Sequence, residues 1–194
     1  IGGKTKIYYK ADNLKELIKF LKMVQNQEKI FILGGGSNTL ITDKRFNGIV
    51  IKLAKNFNNI SKLSEEIIVA GSAVSDRLLS NFAMESGLGG FEFLSCIPGT
   101  VGGGIKMNAG CFEREFKDIL VSVQAIDKFG QVITIPAKKI NFKYRGSSLS
   151  DEFIFLSASF KGFSKNKDLI RKEMKIMKEK KEKAQPTRIK TSGS

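Results

Sequence analysis

Two glycine-rich segments constrain this chain more than any other feature of its sequence. Residues 34–38 read Gly-Gly-Gly-Ser-Asn and directly follow the apolar run at 30–33, while residues 96–110 contain five glycines, a proline, a threonine and an asparagine. Glycine lets the backbone come close to a ligand, and successive N–H groups curled around an anion form a nest suited to phosphate. Either segment alone could be an ordinary glycine-rich turn. Two of them, each with hydroxyl and amide side chains, favour a cofactor whose diphosphate lies between them.

Neither segment matches a familiar nucleotide-binding motif. Residues 34–38 lack the Gly-Lys-Ser/Thr ending of a P-loop, which makes ATP hydrolysis of that type a poor interpretation. They also lack the G-x-G-x-x-G pattern that opens a helix and is followed by an acidic residue about 20 positions later. The cofactor is therefore expected in a different fold.

The composition narrows the possible chemistry. The chain has 194 residues, of which 41% are hydrophobic, enough for one or two folded domains, and it has no apolar run long enough to cross a bilayer. The first residues do not resemble a signal peptide, and Cys96 and Cys111 form no C-x-x-C pair, so we expect reduced thiols. The absence of histidine excludes a Ser-His-Asp triad, histidine-bound zinc and an imidazole base in this segment, and we expect no metal.

The net charge of +14 is concentrated near the end of the chain. Residues 161–190 hold twelve Lys or Arg against four acidic residues, which leaves +8 on one segment. Ile170, Met174 and Met177 have the spacing of one helical face, and Pro186 should end the helix. Basic helices can bind nucleic acid, but the aromatic residues typical of such modules are missing here. We favour a solvated helix with a thin apolar stripe.

Periodicity predicts two small units of mixed helix and strand. Strands are expected at 6–9, 30–33, 48–51 and 67–70, with a hairpin of 121–126 and 131–135 and a strand at 153–156 that closes the sheet. One helix should begin after Asn13 with Glu16 at the capping-box position, and another after Ser75. The second helix is expected to face inward with Leu78, Leu79, Phe82 and Ala83. Residues 53–65 look like a linker.

Three strings, taken in order, carry a resemblance to a known family. They are residues 32–40 (Ile-Leu-Gly-Gly-Gly-Ser-Asn-Thr-Leu), residues 92–110 with Ile-Pro-Gly-Thr-Val-Gly-Gly and Asn-Ala-Gly, and residues 144–147 (Tyr-Arg-Gly-Ser). Together they closely resemble the UDP-N-acetylenolpyruvoylglucosamine reductases, over essentially the whole chain. Cys96 stands where the family usually has a small residue, and Gly104 where alanine is common. Family members continue past the final Gly-Ser into a further substrate-binding domain, which carries a late catalytic glutamate.

The resemblance implies an α+β fold like that of vanillyl-alcohol oxidase, in which two subdomains clamp a non-covalent FAD. It places one subdomain at residues 1–55, a second at 56–185, and the start of the substrate domain at 186–194. The implied activity is NADPH-dependent, FAD-mediated reduction of UDP-N-acetylglucosamine enolpyruvate to UDP-N-acetylmuramate in peptidoglycan synthesis. The implied cofactor-binding residues are Gly34, Gly35, Gly36, Ser37, Asn38, Pro98, Gly99, Thr100, Gly103, Gly104, Asn108, Ala109 and Gly110.

The resemblance also implies roles for residues near the reacting atoms. Tyr144 and Arg145 would bind substrate, and Arg145 would stabilise the enolate because a guanidinium stays protonated at any working pH. Ser194 matches the family's proton donor, and Cys111 is expected to be structural. We expect a cytoplasmic monomer that acts on small molecules, with no nucleic-acid or membrane partner. The alternatives are another flavin oxidoreductase of the same fold, such as an oxidase, or a basic nucleic-acid-binding module.

Overall fold

The structure is a computed structural model and describes residues 2–24 and 28–184. Its strands are β1 (Thr5–Ala11), β2 (Lys29–Ile32), β3 (Phe46–Leu53), β4 (Ile60–Lys62), β5 (Ile67–Gly71), β6 (Leu88–Gly89), β7 (Gly110–Cys111), β8 (Arg114–Glu115), β9 (Leu120–Ile126), β10 (Val132–Pro136), β11 (Phe142–Lys143), β12 (Gly146–Ser147), β13 (Ile154–Lys161) and β14 (Phe163–Ser164). Its α-helices are α1 (Leu14–Val24), α2 (Asp76–Glu85), α3 (Val101–Lys106) and α4 (Lys167–Ala184). Short 3₁₀ helices lie at Lys55–Phe57, Glu92–Cys96, Phe116–Asp118 and Ala137–Lys139.

The first sheet has three parallel strands in the order β1-β3-β2, and α1 connects β1 to β2. The predicted cap of α1 is confirmed, because the Glu16 backbone N–H donates to Asn13 Oδ1 at 2.9 Å. Leu17, Phe20 and Leu21 are the buried face of the helix. This sheet ends in the turn that contains the first glycine segment, so β2 and β3 position that segment.

The second sheet is antiparallel, with five strands in the order β10-β9-β13-β5-β4. The hairpin prediction is confirmed: β9 pairs with β10, and Asp127 Oδ1 accepts the N–H groups of Phe129 and Gln131 at 2.8 and 2.9 Å. The prediction that residues 153–156 close the sheet is wrong. Strand β13 lies at its centre and continues to Lys161, because Ala158 and Phe160 extend its buried face.

Residues 53–65 are not a linker. They form the 3₁₀ helix at Lys55–Phe57 and the edge strand β4, which pairs with β5. Phe57 is buried in the core that α1 shares with both sheets, and Ile60 packs against the other core. These two apolar side chains tie down a segment whose Lys, Asn and Ser content suggests solvent exposure.

Helix α2 begins at the predicted cap, since Ser75 Oγ accepts the N–H of Leu78 at 3.2 Å. Leu79 and Ala83 are buried, as expected. Leu78 is 46% exposed, so its inward placement is wrong. Ser80 is buried in its stead, because Asp76, Ser80 and Ala83 line the side of the helix that faces the core.

Helix α4 confirms the predicted apolar stripe: Ile170 is buried, and Met174 and Met177 are half-buried. Just before the helix, the Lys165 ammonium bridges Glu92 at 3.0 Å and Glu173 at 2.6 Å, which fixes α4 against the 3₁₀ helix at Glu92–Cys96. Pro186 lies outside the described residues. Within residues 2–24 and 28–184, no helix combines the length and apolar character that a membrane span requires. Cys96 and Cys111 are free thiols, as expected.

Candidate cofactor-binding site

The two glycine segments, separated by about 60 positions in the chain, meet in the folded protein. Ser37 Oγ donates a hydrogen bond to the Pro98 carbonyl at 2.5 Å. A Cβ added at Gly34 would lie 2.7 Å from Thr100 Oγ1, and one at Gly35 would lie 3.4 Å from the Gly99 Cα. The segments therefore form the two walls of one site.

The first wall is an open turn between β2 and β3. Leu33 closes the preceding strand through its N–H to the Ile51 carbonyl at 2.9 Å, and Thr39 donates to the Gly36 carbonyl at 3.3 Å. Gly36 has a φ of +73°, a conformation that glycine adopts without strain. Between these two bonds, the N–H groups of residues 34–38 have no acceptor within the described part of the chain. They are available to a bound anion.

The second wall is more regular than its composition suggests. We expected a loop through residues 96–110, but Val101–Lys106 is the short helix α3, whose Val101 and Ile105 are buried one turn apart. Gly102 comes close to Ser72, where an added Cβ would lie 3.0 Å from the serine Cβ. The glycines thus allow the helix to lie close to its neighbours.

A backbone ladder fixes this second wall to the start of α2. The N–H of Asp76 donates to the Gly99 carbonyl at 3.3 Å, that of Val101 to the Val74 carbonyl at 2.9 Å, and that of Gly102 to the Ser72 carbonyl at 2.9 Å. The N–H of Gly104 donates to the Thr100 carbonyl at 2.8 Å. Of residues 99–104, only Gly99, Thr100 and Gly103 keep an N–H without an acceptor among the described residues.

Packing explains why residue 104 is a glycine. It is buried, and a Cβ there would lie 2.3 Å from the Phe116 ring. Gly103, one position earlier, is exposed and has room for a side chain, with Thr100 Oγ1 as its nearest neighbour at 3.7 Å. The two adjacent glycines therefore face opposite environments, and the predicted cofactor contact fits Gly103 better than Gly104.

Asn108, Ala109 and Gly110 form a frame that follows α3, in which Asn108 is buried and the other two residues are half-buried. Asn108 is fully buried with a φ of +42°. Its Oδ1 accepts the N–H of Lys117 at 3.1 Å, and its Nδ2 donates to Glu115 Oε2 at 3.0 Å and to the Lys143 carbonyl at 3.2 Å. A Cβ at Gly110 would lie 2.5 Å from the Arg114 carbonyl oxygen. These contacts hold the frame together, and the FAD contacts of the three residues stay predictions.

Tyr144 and Arg145 occupy the turn between β11 and β12, and both are exposed. The Arg145 Cζ lies 4.9 Å from the centre of the Tyr144 ring, and Arg145 has a φ of +55°. Ser147 Oγ donates to the Lys106 carbonyl at 3.0 Å, which attaches this hairpin to the end of α3. The structure thus attaches the hairpin that carries the predicted cation to the C-terminal end of α3. Ser194 lies outside the described residues.

The charge of Arg145 contributes to the pKa values of two ionisable groups near the frame, Glu115 and Cys111. The hydrogen bond from Lys117 lowers the pKa of the Glu115 carboxyl, opposed by partial burial, and the Arg145 charge lowers it further. Burial raises the pKa of the Cys111 thiol, while the charges of Lys181 and Arg145 lower it in part. The pKa of the Cys111 thiol is still raised overall, because burial outweighs the nearby positive charges, and for Glu115 the bond from Lys117 is the main cause.

Unpaired buried polar atoms cluster beside the second wall. Among the described residues, five buried side-chain oxygens have no hydrogen-bond partner, and four of them belong to Ser72, Asp76 and Thr100. Thr100 lies inside the second glycine segment, and Ser72 and Asp76 contact it through backbone hydrogen bonds. Buried polar atoms in native proteins are almost always paired, so a cluster of unpaired ones indicates a partner supplied from outside the chain.

Sequence reasoning missed Ser72 and Asp76. An aspartate that directly follows a helix cap looks like an ordinary complement to the helix dipole. Nothing in the sequence indicates that this particular carboxyl is buried rather than solvated. Thr100, in contrast, was found because it lies inside the glycine segment.

The two glycine walls have unpaired N–H groups and lie between the three-stranded and the five-stranded sheet. This arrangement defines the class of domain that binds a diphosphate cofactor. Residues 5–136 match the family described as FAD binding domain, and the chain belongs to that family. This confirms the prediction of an α+β FAD-binding fold and of FAD as the cofactor.

The resemblance to the UDP-N-acetylenolpyruvoylglucosamine reductases is also confirmed. The chain is 64% identical over 194 residues to the protein of that name from Pelagibacter ubique (strain HTCC1062), and 40% identical over 196 residues to that from Rickettsia typhi (strain ATCC VR-144 / Wilmington). Both alignments cover 100% of this chain. The chain spans 64% and 65% of the length of these relatives, just under two thirds.

Solved structures agree on the fold. The crystal structure of UDP-N-acetylenolpyruvylglucosamine reductase from Thermus caldophilus superposes with a TM-score of 0.81 at 29% identity, covering 92% of this chain and 63% of that one. A carbon monoxide dehydrogenase from Hydrogenophaga pseudoflava superposes with a TM-score of 0.63 at 14% identity, covering 84% of this chain and 61% of that one. The second likeness concerns the fold alone.

Proposed function

We propose that this chain is the FAD-binding part of an NADPH-dependent reductase that converts UDP-N-acetylglucosamine enolpyruvate to UDP-N-acetylmuramate during peptidoglycan synthesis. The observation that carries the proposal is the meeting of the two glycine walls at Ser37 and Pro98, with the exposed Arg145 on a hairpin attached to the second wall. The names of the relatives support the substrate class.

The residues of the two walls fit a diphosphate between them. We assign its phosphate oxygens to the free N–H groups of residues 34–38 on one side and of Gly99, Thr100 and Gly103 on the other. The side chains of Asn38 and Thr100 would add hydrogen bonds, whereas the hydroxyl proton of Ser37 is already donated to the Pro98 carbonyl. When bound, FAD supplies hydride-transfer chemistry at its ring, while the protein supplies binding, orientation and electrostatics.

Arg145 is suited to hold the negative charge of an enolpyruvyl substrate. Its guanidinium has no carboxylate partner among the described residues and is oriented by the ring of Tyr144. A planar guanidinium can bind a carboxylate through two parallel hydrogen bonds. The same group would stabilise the charge that develops when the enol ether is reduced, because that charge forms next to the carboxylate.

The second step of the reaction requires a proton donor, and we propose Ser194 on the basis of the family resemblance. Lys106, a second candidate, is already occupied: its ammonium pairs with Asp151 at 2.6 Å and also donates to the Leu149 carbonyl. Tyr144 is 83% exposed, so its hydroxyl is a better second candidate for the proton donor than Lys106.

We propose a cytoplasmic monomer that works on small molecules alone. The ion pairs of α4 with neighbouring acids, such as Arg171 with Asp168 at 3.0 Å, support the interpretation of the basic helix as a solvated surface element. Neither the oxidase nor the nucleic-acid alternative has a specific observation in its favour among the described residues.

The first test separates the two half-reactions in the full-length protein by anaerobic stopped-flow spectroscopy. We expect Arg145→Ala to be bleached by NADPH at a normal rate, but its reoxidation by the enolpyruvyl substrate should be at least about 100-fold slower, the usual cost of one charge-stabilising group. Ser194→Ala should behave in the same way, and Ser194→Cys should recover part of the rate because a thiol can also donate a proton.

Arg171→Ala removes an exposed arginine remote from the site and serves as the control; it should leave both half-reactions unchanged. Normal reoxidation in Arg145→Ala would contradict the assigned role. Normal reoxidation in Ser194→Ala would remove that serine from the mechanism and make Tyr144 the next donor to test.

A further inference from the structure

Asp76 is a buried acid that the proposed reaction does not use. It is the first residue of α2 and has no exposed surface, and neither carboxyl oxygen has a hydrogen-bond partner among the described residues. It lies directly beneath the second wall: a Cβ at Gly99 would sit 2.9 Å from Asp76 Oδ2. The Asp76 N–H is also the donor to the Gly99 carbonyl.

The environment of this carboxyl favours its neutral form. Burial, with no contribution from a neighbouring charge, raises its pKa to about 7. The two glycine walls, residues 34–38 and 97–105, contain no titratable side chain. The charged or titratable groups on α2 and on the elements packed against it or against the second wall are Arg77, Glu85, Glu92, Cys96, Lys106, Lys117, Asp118, Lys161, Lys165, Lys167, Asp168, Arg171, Lys172, Glu173, Lys175, Lys178, Glu179, Lys180, Lys181, Glu182 and Lys183. None of them contributes to the pKa of Asp76. Several have other partners: Arg171 pairs with Glu85, Lys165 with Glu92 and Glu173, Lys106 with Asp151, and Lys181 donates to the Cys96 carbonyl.

A diphosphate on the outer side of the Gly99–Thr100 turn changes the balance further. The ligand brings negative charge close to a carboxyl that water does not reach, where opposing like charges are poorly screened. An ionised Asp76 would repel the ligand, and a neutral Asp76 would not. The bound state should therefore hold the proton more tightly than the free state.

We propose that Asp76, beneath the diphosphate turn, permits tight FAD binding only as the neutral acid, so that FAD binding takes up a proton. This inference rests on the FAD site alone and not on the reductase reaction.

The sign of the pH dependence follows from the two states. In the free protein Asp76 ionises as the pH passes about 7, and in the complex it stays protonated to a higher pH. FAD affinity is then constant below pH 7 and falls as the pH rises above it. The diphosphate itself stays ionised throughout, so it does not contribute to the change.

The test uses flavin-free protein titrated with FAD between pH 6 and pH 8.5, followed by flavin fluorescence. We expect the dissociation constant of the wild type for FAD to rise about tenfold over this range. When the uptake of one proton is coupled to binding, the affinity can fall by up to tenfold per pH unit. Asp76→Asn keeps the shape of the side chain without its ionisation, and its dissociation constant should stay constant. Asp168→Asn, a change on the exposed first turn of α4, should keep the wild-type dependence.

Calorimetry decides the question without any variant. Titrations at pH 7.5 in buffers of different ionisation enthalpy should show net uptake of a fraction of one proton per FAD in the wild type and none in Asp76→Asn. A proton release, an affinity that rises with pH, or an Asp76→Asn variant with the wild-type slope would overturn the proposal. If Asp76→Asn does not fold, the wild-type proton count still decides, because zero uptake excludes the neutral-acid role.

Discussion

The two glycine walls have similar compositions but opposite relations to the rest of the molecule. Residues 34–38 form an open turn whose N–H groups have no acceptor in the described part of the chain. Residues 99–104 are tied by three backbone hydrogen bonds to residues 72–76, and from Val101 onward the stretch belongs to helix α3, whose Val101 and Ile105 are buried. In the first wall, glycine leaves the backbone open to a ligand. In the second, several glycines serve packing, and only a minority face outward.

The largest effect should come from Gly104, which separates the packing role from the binding role. Gly104→Val places side-chain carbons inside the contact distance of the Phe116 ring, which itself packs edge-on against Phe93 and Phe160. We expect a loss of about 3 kcal/mol or more in the free energy of unfolding, since overpacked cores rearrange at high cost. Urea unfolding of flavin-free protein measures this directly. Stability within about 0.5 kcal/mol of the wild type would show that Gly104 is not a packing residue.

A substitution at the adjacent Gly103 should have the opposite result: a smaller loss of stability, and a loss of bound flavin that is visible as a loss of yellow colour. Gly103→Val points its side chain to the exposed side, so the variant should fold with less than about 1 kcal/mol lost, helped by the better helix propensity of valine. The new side chain would occupy the space next to the free N–H groups, and we expect at least about 100-fold weaker FAD binding, roughly 2.7 kcal/mol. A yellow, stoichiometrically loaded Gly103→Val protein would remove this glycine from the site.

The smallest effect should come from cutting the contact between the walls. Ser37→Ala removes the hydrogen bond to the Pro98 carbonyl, which holds the walls together before FAD arrives and is worth about 1 kcal/mol. FAD must then hold the walls together itself, so its affinity should fall about fivefold, and the flavin-free protein should lose no more than about 1 kcal/mol of stability. Ser37→Thr keeps the hydroxyl and is the matched control. Equal affinity in Ser37→Ala and the wild type would mean that the walls do not need each other to bind FAD.

The parts of the fold that were predictable have local signals. Asn13 and Ser75 cap the two predicted helices, and the Asp127 turn joins the predicted hairpin. The misplaced elements depend on contacts between distant residues. Strand β13 lies at the centre of its sheet because it pairs with both β5 and β9, and no local pattern shows how many partners a strand has. The edge strand β4 likewise forms because β5 is available to pair with it.

The same division applies to the site. Both glycine walls were visible in the sequence because their composition is unusual, and the family strings pointed to Arg145. The sequence could not sort the glycines by role, since Gly103 and Gly104 differ only in what the fold places opposite them. It could not reveal Asp76 either, because burial of a carboxyl is a property of the assembled core.

The ladder between residues 72–76 and 99–102 has a consequence for the entropy of binding. A segment that is already hydrogen-bonded to its neighbours loses little conformational freedom when a ligand arrives, whereas an open turn must be ordered at that moment. For the FAD position proposed above, we expect most of the ordering cost to fall on residues 34–38. One half of the cradle is held by backbone hydrogen bonds to its neighbours and the other half is not, so we expect mutations that stiffen the first turn to tighten flavin retention and to leave the second wall untouched.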